Sequence, residues 1–155
     1  MTYLGRQILG NEPFLYAQKV LKECGQREPP IDEKVVLDYL GLKMREIPVH
    51  LAPPELRERL KHVDAWLRSS NGVSYVWINP ESNPKRRRMG VFHECSHEIL
   101  PWHQRMDYLC KKHDVNGRPL KKMEREAYQC AAELHMPSRS FRDDLMAMTT
   151  CIGAI

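Results

Sequence analysis

PKRRRMGVFHECSHEIL, residues 84–100, is the stretch on which the reading of this chain turns. Two histidines frame a glutamate as His93-Glu94-Cys95-Ser96-His97. Ser82 or Asn83 is placed to cap a helix, with Pro84 at its first position, where a missing N–H costs nothing. Pro101 disfavours helical geometry in the residue before it, so the helix should end by Leu100. On such a helix, positions i and i+4 stand one above the other with Cβ atoms about 5–6 Å apart.

Two imidazoles at that spacing can each reach a zinc ion at about 2.0–2.1 Å. Glu94 sits where H-E-x-x-H sites keep a general base. The surrounding residues test whether five letters mean anything. With about 100° per residue and His93 at zero, Met89, Phe92, Ser96, Ile99 and Leu100 fall in an arc from about −20° to −120°. That arc is the buried face. His93 and His97 stand at its border, as a cleft-lining helix requires, and Glu94 follows on their outer side. The competing reading is an exposed charged helix with two incidental histidines.

A catalytic zinc takes three protein ligands and keeps one position open for water. The downstream acids are Asp107, Asp114, Glu124, Glu126 and Glu133. PLKKMEREAYQCAAELH, residues 119–135, reads as one long helix stopped by Pro137. With Glu124 at zero, Leu120, Met123, Ala127, Cys130, Ala131 and Leu134 lie between about −20° and −120°. Glu124 therefore borders the buried face, whereas Glu126 and Glu133 point about 160–180° away, toward solvent. Tyr128 lies one turn beyond Glu124 and either orients a ligand, touches substrate or packs at the core edge. His135 is about 16 Å along the axis and too far to share a metal.

The rest of the chain suits a single soluble domain. At 155 residues it can bury a core without staples, and 42% hydrophobic with 28% charged residues is ordinary. Five cysteines without a C-x-x-C pair argue against a disulfide framework and for a reducing cytoplasm. The start, MTYLGRQILG, has no signal-peptide pattern, and no apolar run approaches membrane-span length. A net charge of +4 says little about nucleic acid. The apolar ending CIGAI is compatible with a natural chain that continues past Ile155.

Helices are expected over PFLYAQKVLKEC, EKVVLDYLGLK behind an Asp32 cap, and PPELRERL. MREIPVHL reads as an edge strand because of Pro48, and HVDAWLR and GVSYVWIN as a hairpin about SSNG. WHQRMDYLCKK reads as another helix. The order is helices, a small three-stranded, mostly antiparallel sheet, then helices: an α+β domain. It divides into a helical part (1–48), a small sheet (49–80) and zinc-binding helices (81–141).

Two segments, WINPESNPKRRRMGVFHECSH and EREAYQCAAELHMP, together resemble the ImmA/IrrE family of metallopeptidases, regulators of phage immunity and radiation response. The family pattern runs from a strand ending in Ile-Asn through an Arg-rich helix start into H-E-x-x-H. A later helix then reads about E-x-x-A-N-x-F-A-A-x-L-L-M-P. The resemblance covers about residues 15–141 in element order and is specific at these two motifs. It implies a zincin-like fold, His93, His97 and Glu124 as ligands of one Zn2+, and Glu94 as the catalytic glutamate. It also implies cleavage of a transcriptional repressor, as in characterised members. Cys95-Ser96 departs from the usual small-Gly pair, Tyr128 from Asn or Asp, and Cys130 from Phe. The Tyr128 change bears on how Glu124 is oriented.

In this reading zinc lowers the pKa of water from 15.7 to about 7, and Glu94 moves the proton. A further oxyanion donor is expected, with Tyr128, His103 and His113 as weak candidates. Cys110 and His113 have i,i+3 spacing but no second pair and are read as incidental; Cys95 is read as packing. Arg86, Arg87 and Arg88 are candidates to meet a substrate or partner, against a solvated charged face. Trp66, Trp77 and Tyr75 are expected in the core or lining a cleft.

Three functions follow in order. The first is a cytoplasmic zinc endopeptidase acting on a protein regulator, without membrane association. The second is a non-catalytic metal-binding module. The last is a nucleic-acid-binding domain built on Lys85–Arg88, for which no helix-turn-helix pattern speaks. Oligomeric state and cleavage sequence are not encoded in any motif.

Overall fold

A computed structural model describes residues 10–46, 48–61, 64–103 and 118–152. The first helix, α1 (Pro13–Glu23), buries Tyr16, Ala17, Val20 and Leu21 at helical spacing. A second, α2 (Glu33–Leu40), starts where the Asp32 carboxylate accepts the Lys34 N–H at 2.9 Å. It stops at Gly41, whose φ of 68° is the left-handed geometry that glycine adopts freely. Strand β1 (Lys43–Glu46) follows, then a 3₁₀ turn at Val49–Leu51 and helix α3 (Pro54–Leu60). Of the expected strand MREIPVHL, residues 44–46 are strand and 49–51 form the 3₁₀ turn, and Ile47 lies outside the described residues. The sheet thus begins ahead of the expected residue 49.

Strands β2 (Ala65–Ser70) and β3 (Val73–Ile78) form the expected hairpin. Its turn puts Asn71 and Gly72 at φ 52° and 75°, the paired positive values of a two-residue hairpin loop. The sheet order is β1-β3-β2, with β1 parallel and β2 antiparallel to β3. The expected mostly antiparallel sheet is therefore mixed. After α3 the chain enters at the far edge as β2, and the hairpin folds β3 back into the middle, alongside β1.

Helix α4 (Pro84–Ile99) is the centre of the domain. The Asn83 side chain accepts the Lys85 N–H at 2.9 Å, a cap of about 1 kcal/mol. The sheet, α1, α2 and a later helix, α5 (Arg118–His135), all pack on it. Val91 and Cys95 are buried as fully as Phe92 and Ile99, because neighbours cover α4 from opposite sides. Cys95 was expected to pack, whereas Val91 lies off the expected buried arc of α4. Val76 and Ile78 of β3 face α4 from the sheet, and α5 contributes Cys130, Ala131 and Leu134 to the same core. A last helix, α6 (Ser138–Ile152), has no counterpart among the expected elements. Residues 101–103 are helical; the remainder of the expected helix there lies outside the described residues. Among the described residues no helix is long and apolar enough to cross a membrane.

Candidate metal centre

Asn79 delivers α4 to its place. Its buried side chain accepts the Glu81 N–H at 2.9 Å, and its own N–H donates to the Asp64 carbonyl at 3.1 Å. From that anchored start, α4 carries His93 and His97 to the point where α5 brings Glu124. His93 Nε2 lies 3.0 Å from Glu124 Oε2, and His97 Nε2 lies 3.4 Å from Oε1. The two Nε2 atoms are 3.2 Å apart. All three side chains offer one donor atom within 4.8 Å of the others. The two histidine bonds are the main cause holding the Glu124 carboxyl well below the usual carboxylate range, against the burial that would raise it.

These separations can be tested against a metal. Ligands about 2.0–2.1 Å from a tetrahedral ion stand about 3.3–3.4 Å from one another. The observed spacings of 3.0, 3.2 and 3.4 Å, the two to Glu124 ending on its two different carboxylate oxygens, lie close to that edge. Two nitrogens and a carboxylate oxygen are also a donor set suited to zinc. The residues fit such an ion.

Glu94 was expected on the outer side of α4. It instead lies half-buried against the edge strand β2, where Leu67 N–H donates to its Oε2 at 2.9 Å. Burial raises its pKa, opposed by His97, His93 and the Leu67 amide. Gly90, one turn earlier on the same side, makes this approach possible. A Cβ there would stand 3.1 Å from Ala65 Cβ and 3.3 Å from Ala65 N.

Tyr128 is 55% exposed, with its ring centroid 4.3 Å from that of His93. It stands half in the open, with its ring against a histidine of the cluster. His103 is only 1% exposed, which removes it as an oxyanion donor because substrate cannot reach it. Its Nδ1 lies 3.0 Å from His97 Nδ1, and its Nε2 lies 3.1 Å from Glu126 Oε2. Trp102 Nε1–H donates to the same Glu126 oxygen at 2.8 Å. The expectation that Glu126 and Glu133 face solvent is thus wrong for both. Glu126 is covered by the turn at 101–103, whereas Glu133 is buried and accepts hydrogen bonds from Gln18 of α1 and from Ser138. Periodicity within α5 says nothing about segments that arrive from elsewhere. Burial also raises the Glu126 pKa, but the bonds from Trp102 and His103 outweigh it and the net shift is downward.

Other expected residues lie elsewhere. Arg86 pairs with Asp64 at 3.2 Å, Arg87 with Glu46 at 3.6 Å and Arg88 with Glu33 at 3.8 Å. Arg88 also donates to the Ile31 carbonyl and lies over the Phe92 ring. Each arginine therefore has an acid of this chain beside it. Tyr75 and Trp77 line a shallow cleft of about 520 Å³ with Arg45, Glu46, Arg68 and Ser70, on the sheet face away from α4. Trp66 packs instead on Val49 and Ala52. Cys95 is buried, with its thiol pushed well above the ordinary value by desolvation, as packing requires. His135 stacks edge-on against Phe92, apart from the cluster. Asp107, Cys110, His113 and Asp114 lie outside the described residues.

The family model of the IrrE N-terminal-like domain, a peptidase family, matches residues 38–150. No curated protein matches the chain. The chain belongs to the IrrE N-terminal-like peptidase family.

Proposed function

We propose that this member of the IrrE N-terminal-like peptidase family is a zinc-dependent endopeptidase. The observation that carries the reading is the triangle of His93 Nε2, His97 Nε2 and Glu124 carboxylate oxygens, with sides of 3.0–3.4 Å. His93, His97 and Glu124 hold one zinc ion. When bound, zinc supplies a lowered pKa to water and polarises the scissile carbonyl.

Glu94 carries the proton chemistry. The Leu67 amide pins its Oε2 and leaves Oε1 for the proton of the attacking water. Burial raises the carboxylate's basicity, so it takes that proton more readily near neutral pH and hands it to the departing amine. The open ring of Tyr128 forms a wall beside His93 on which a substrate segment can lie.

The resemblance to ImmA/IrrE proteins supports a transcriptional repressor as the substrate, and five cysteines without a C-x-x-C pair support a cytoplasmic setting. A helix-turn-helix repressor encoded beside this gene is the first substrate to incubate with the protein. The chemical test is Glu94→Gln. The variant should retain one zinc per chain and lose peptide hydrolysis by about 10²–10⁴-fold. Turnover at the full rate would refute the role of Glu94. His93→Ala and Glu124→Ala should each lose zinc in metal analysis.

A further inference from the structure

We infer that Glu126, acting through His103, fixes the tautomer and ring orientation of His97 and so sets the zinc affinity of the centre. The inference rests on the metal reading above and names three residues of this chain as a relay toward it.

The directions of the rings decide the argument. His97 turns Nε2 toward His93 and Glu124, at 3.2 and 3.4 Å, and turns Nδ1 the other way. A nitrogen that binds a metal gives up its proton, so the His97 proton must reside on Nδ1. That N–H needs an acceptor, and His103 Nδ1 stands 3.0 Å away. Accepting there forces the His103 proton onto Nε2, which faces Glu126 Oε2 at 3.1 Å. The relay ends at a carboxylate that also accepts from Trp102 at 2.8 Å and lies 3.7 Å from Lys122 Nζ through its other oxygen. Every donor in the series meets one acceptor. Reversing either tautomer sets two N–H groups, or two lone pairs, against each other.

His103 itself is no ligand of the same ion, because it meets His97 on the side opposite the cluster. His93 provides the contrast. Its Nδ1 is buried with no hydrogen-bond partner among the described residues, and what lies on its ring is Tyr128. Among the described residues the centre is therefore braced through His97 and not through His93. Groups that orient a ligating histidine typically contribute 10–100-fold to metal affinity.

The test combines spectroscopy of the unaltered protein with variants. In zinc-loaded protein, long-range ¹⁵N–¹H imidazole spectra should show His97 protonated at Nδ1 and His103 at Nε2. His103→Phe should weaken zinc binding, measured by competition with a chromophoric chelator, by about 10–100-fold. His103→Gln can accept from His97 and donate to Glu126, and should recover most of that loss. Glu126→Gln should give an intermediate value. A wild-type protein that takes up no zinc would sink the metal reading and the relay together. Normal zinc uptake with His103 protonated at Nδ1, or with His103→Phe binding zinc as tightly as wild type, would overturn the relay alone.

Discussion

Gly90→Ala separates local helix preference from tertiary contact. In an isolated helix the change would stabilise by about 1 kcal/mol, because glycine gives up more backbone freedom than alanine. Here the new methyl would meet Ala65 Cβ at 3.1 Å, Asp64 Cβ at 3.2 Å and Ala65 N at 3.3 Å. None of these atoms is the far end of a flexible side chain, so β2 must retreat by a few tenths of an ångström (about 1–3 kcal/mol for overpacking). The difference is a net loss of about 0–2 kcal/mol, or about 2–4 °C in Tm for each kcal/mol at this size. The same retreat lengthens the Leu67 N–H bond to Glu94, now 2.9 Å, so the Leu67 amide should exchange with solvent faster. Gly90→Val adds bulk at the same contact with a poorer helix former and should be worse on both measures. Thermal unfolding and amide exchange by NMR read the two effects. A Gly90→Ala protein more stable than wild type, with Leu67 exchange unchanged, would refute the claim that this glycine sets the distance between α4 and β2.

Three further outcomes follow from the same contacts. Burial pushes the Cys130 thiol up to about 12 and Cys95 well above its ordinary value. Folded-state pKa values above the unfolded ones mean stability is complete below about pH 9 and falls as pH rises toward 12, by about 1.4 kcal/mol per pH unit per thiol. Urea unfolding of Cys130→Ala should show a shallower alkaline slope than wild type, and an equal slope would contradict the assignment. Arg88→Lys keeps the charge opposite Glu33 but loses the planar group over Phe92, so it should recover less than half of the stability lost in Arg88→Ala; full recovery in denaturant titration would show that charge alone matters. Asp32→Ala removes the cap that accepts the Lys34 N–H and should cost about 1 kcal/mol, whereas Asp32→Asn should cost much less.

Much of the centre was legible because it is written in local spacing. Four residues along one helix bring two imidazoles to the same side, and the apolar stripes of α4 and α5 place His93, His97 and Glu124 at the margins of buried faces. The hairpin at Asn71-Gly72 is equally local and was read correctly, and of the two expected caps, Ser82 and Asn83, it is Asn83 that accepts the Lys85 N–H. The misreadings have one source in common. Glu126 and Glu133 point away from the main stripe of α5, yet a turn at 101–103 covers one and α1 covers the other. The sheet became mixed because a crossover through α3 determines which edge a strand joins, and no pattern within a strand records it. Glu94 lies against a backbone amide, a group every residue carries and no sequence advertises.

The amino-acid sequence by itself determined the α+β class, the central helix and the three donor residues, since each depends on periodicities of a few residues. Only the tertiary structure decided how those donors are held: the 3.0–3.4 Å triangle, Leu67 against Glu94, and His103 and Glu126 behind His97. These contacts join segments up to 31 residues apart along the chain. Their geometry follows from how whole elements pack against one another, and close packing sets distances to a precision that hydrophobic pattern does not carry.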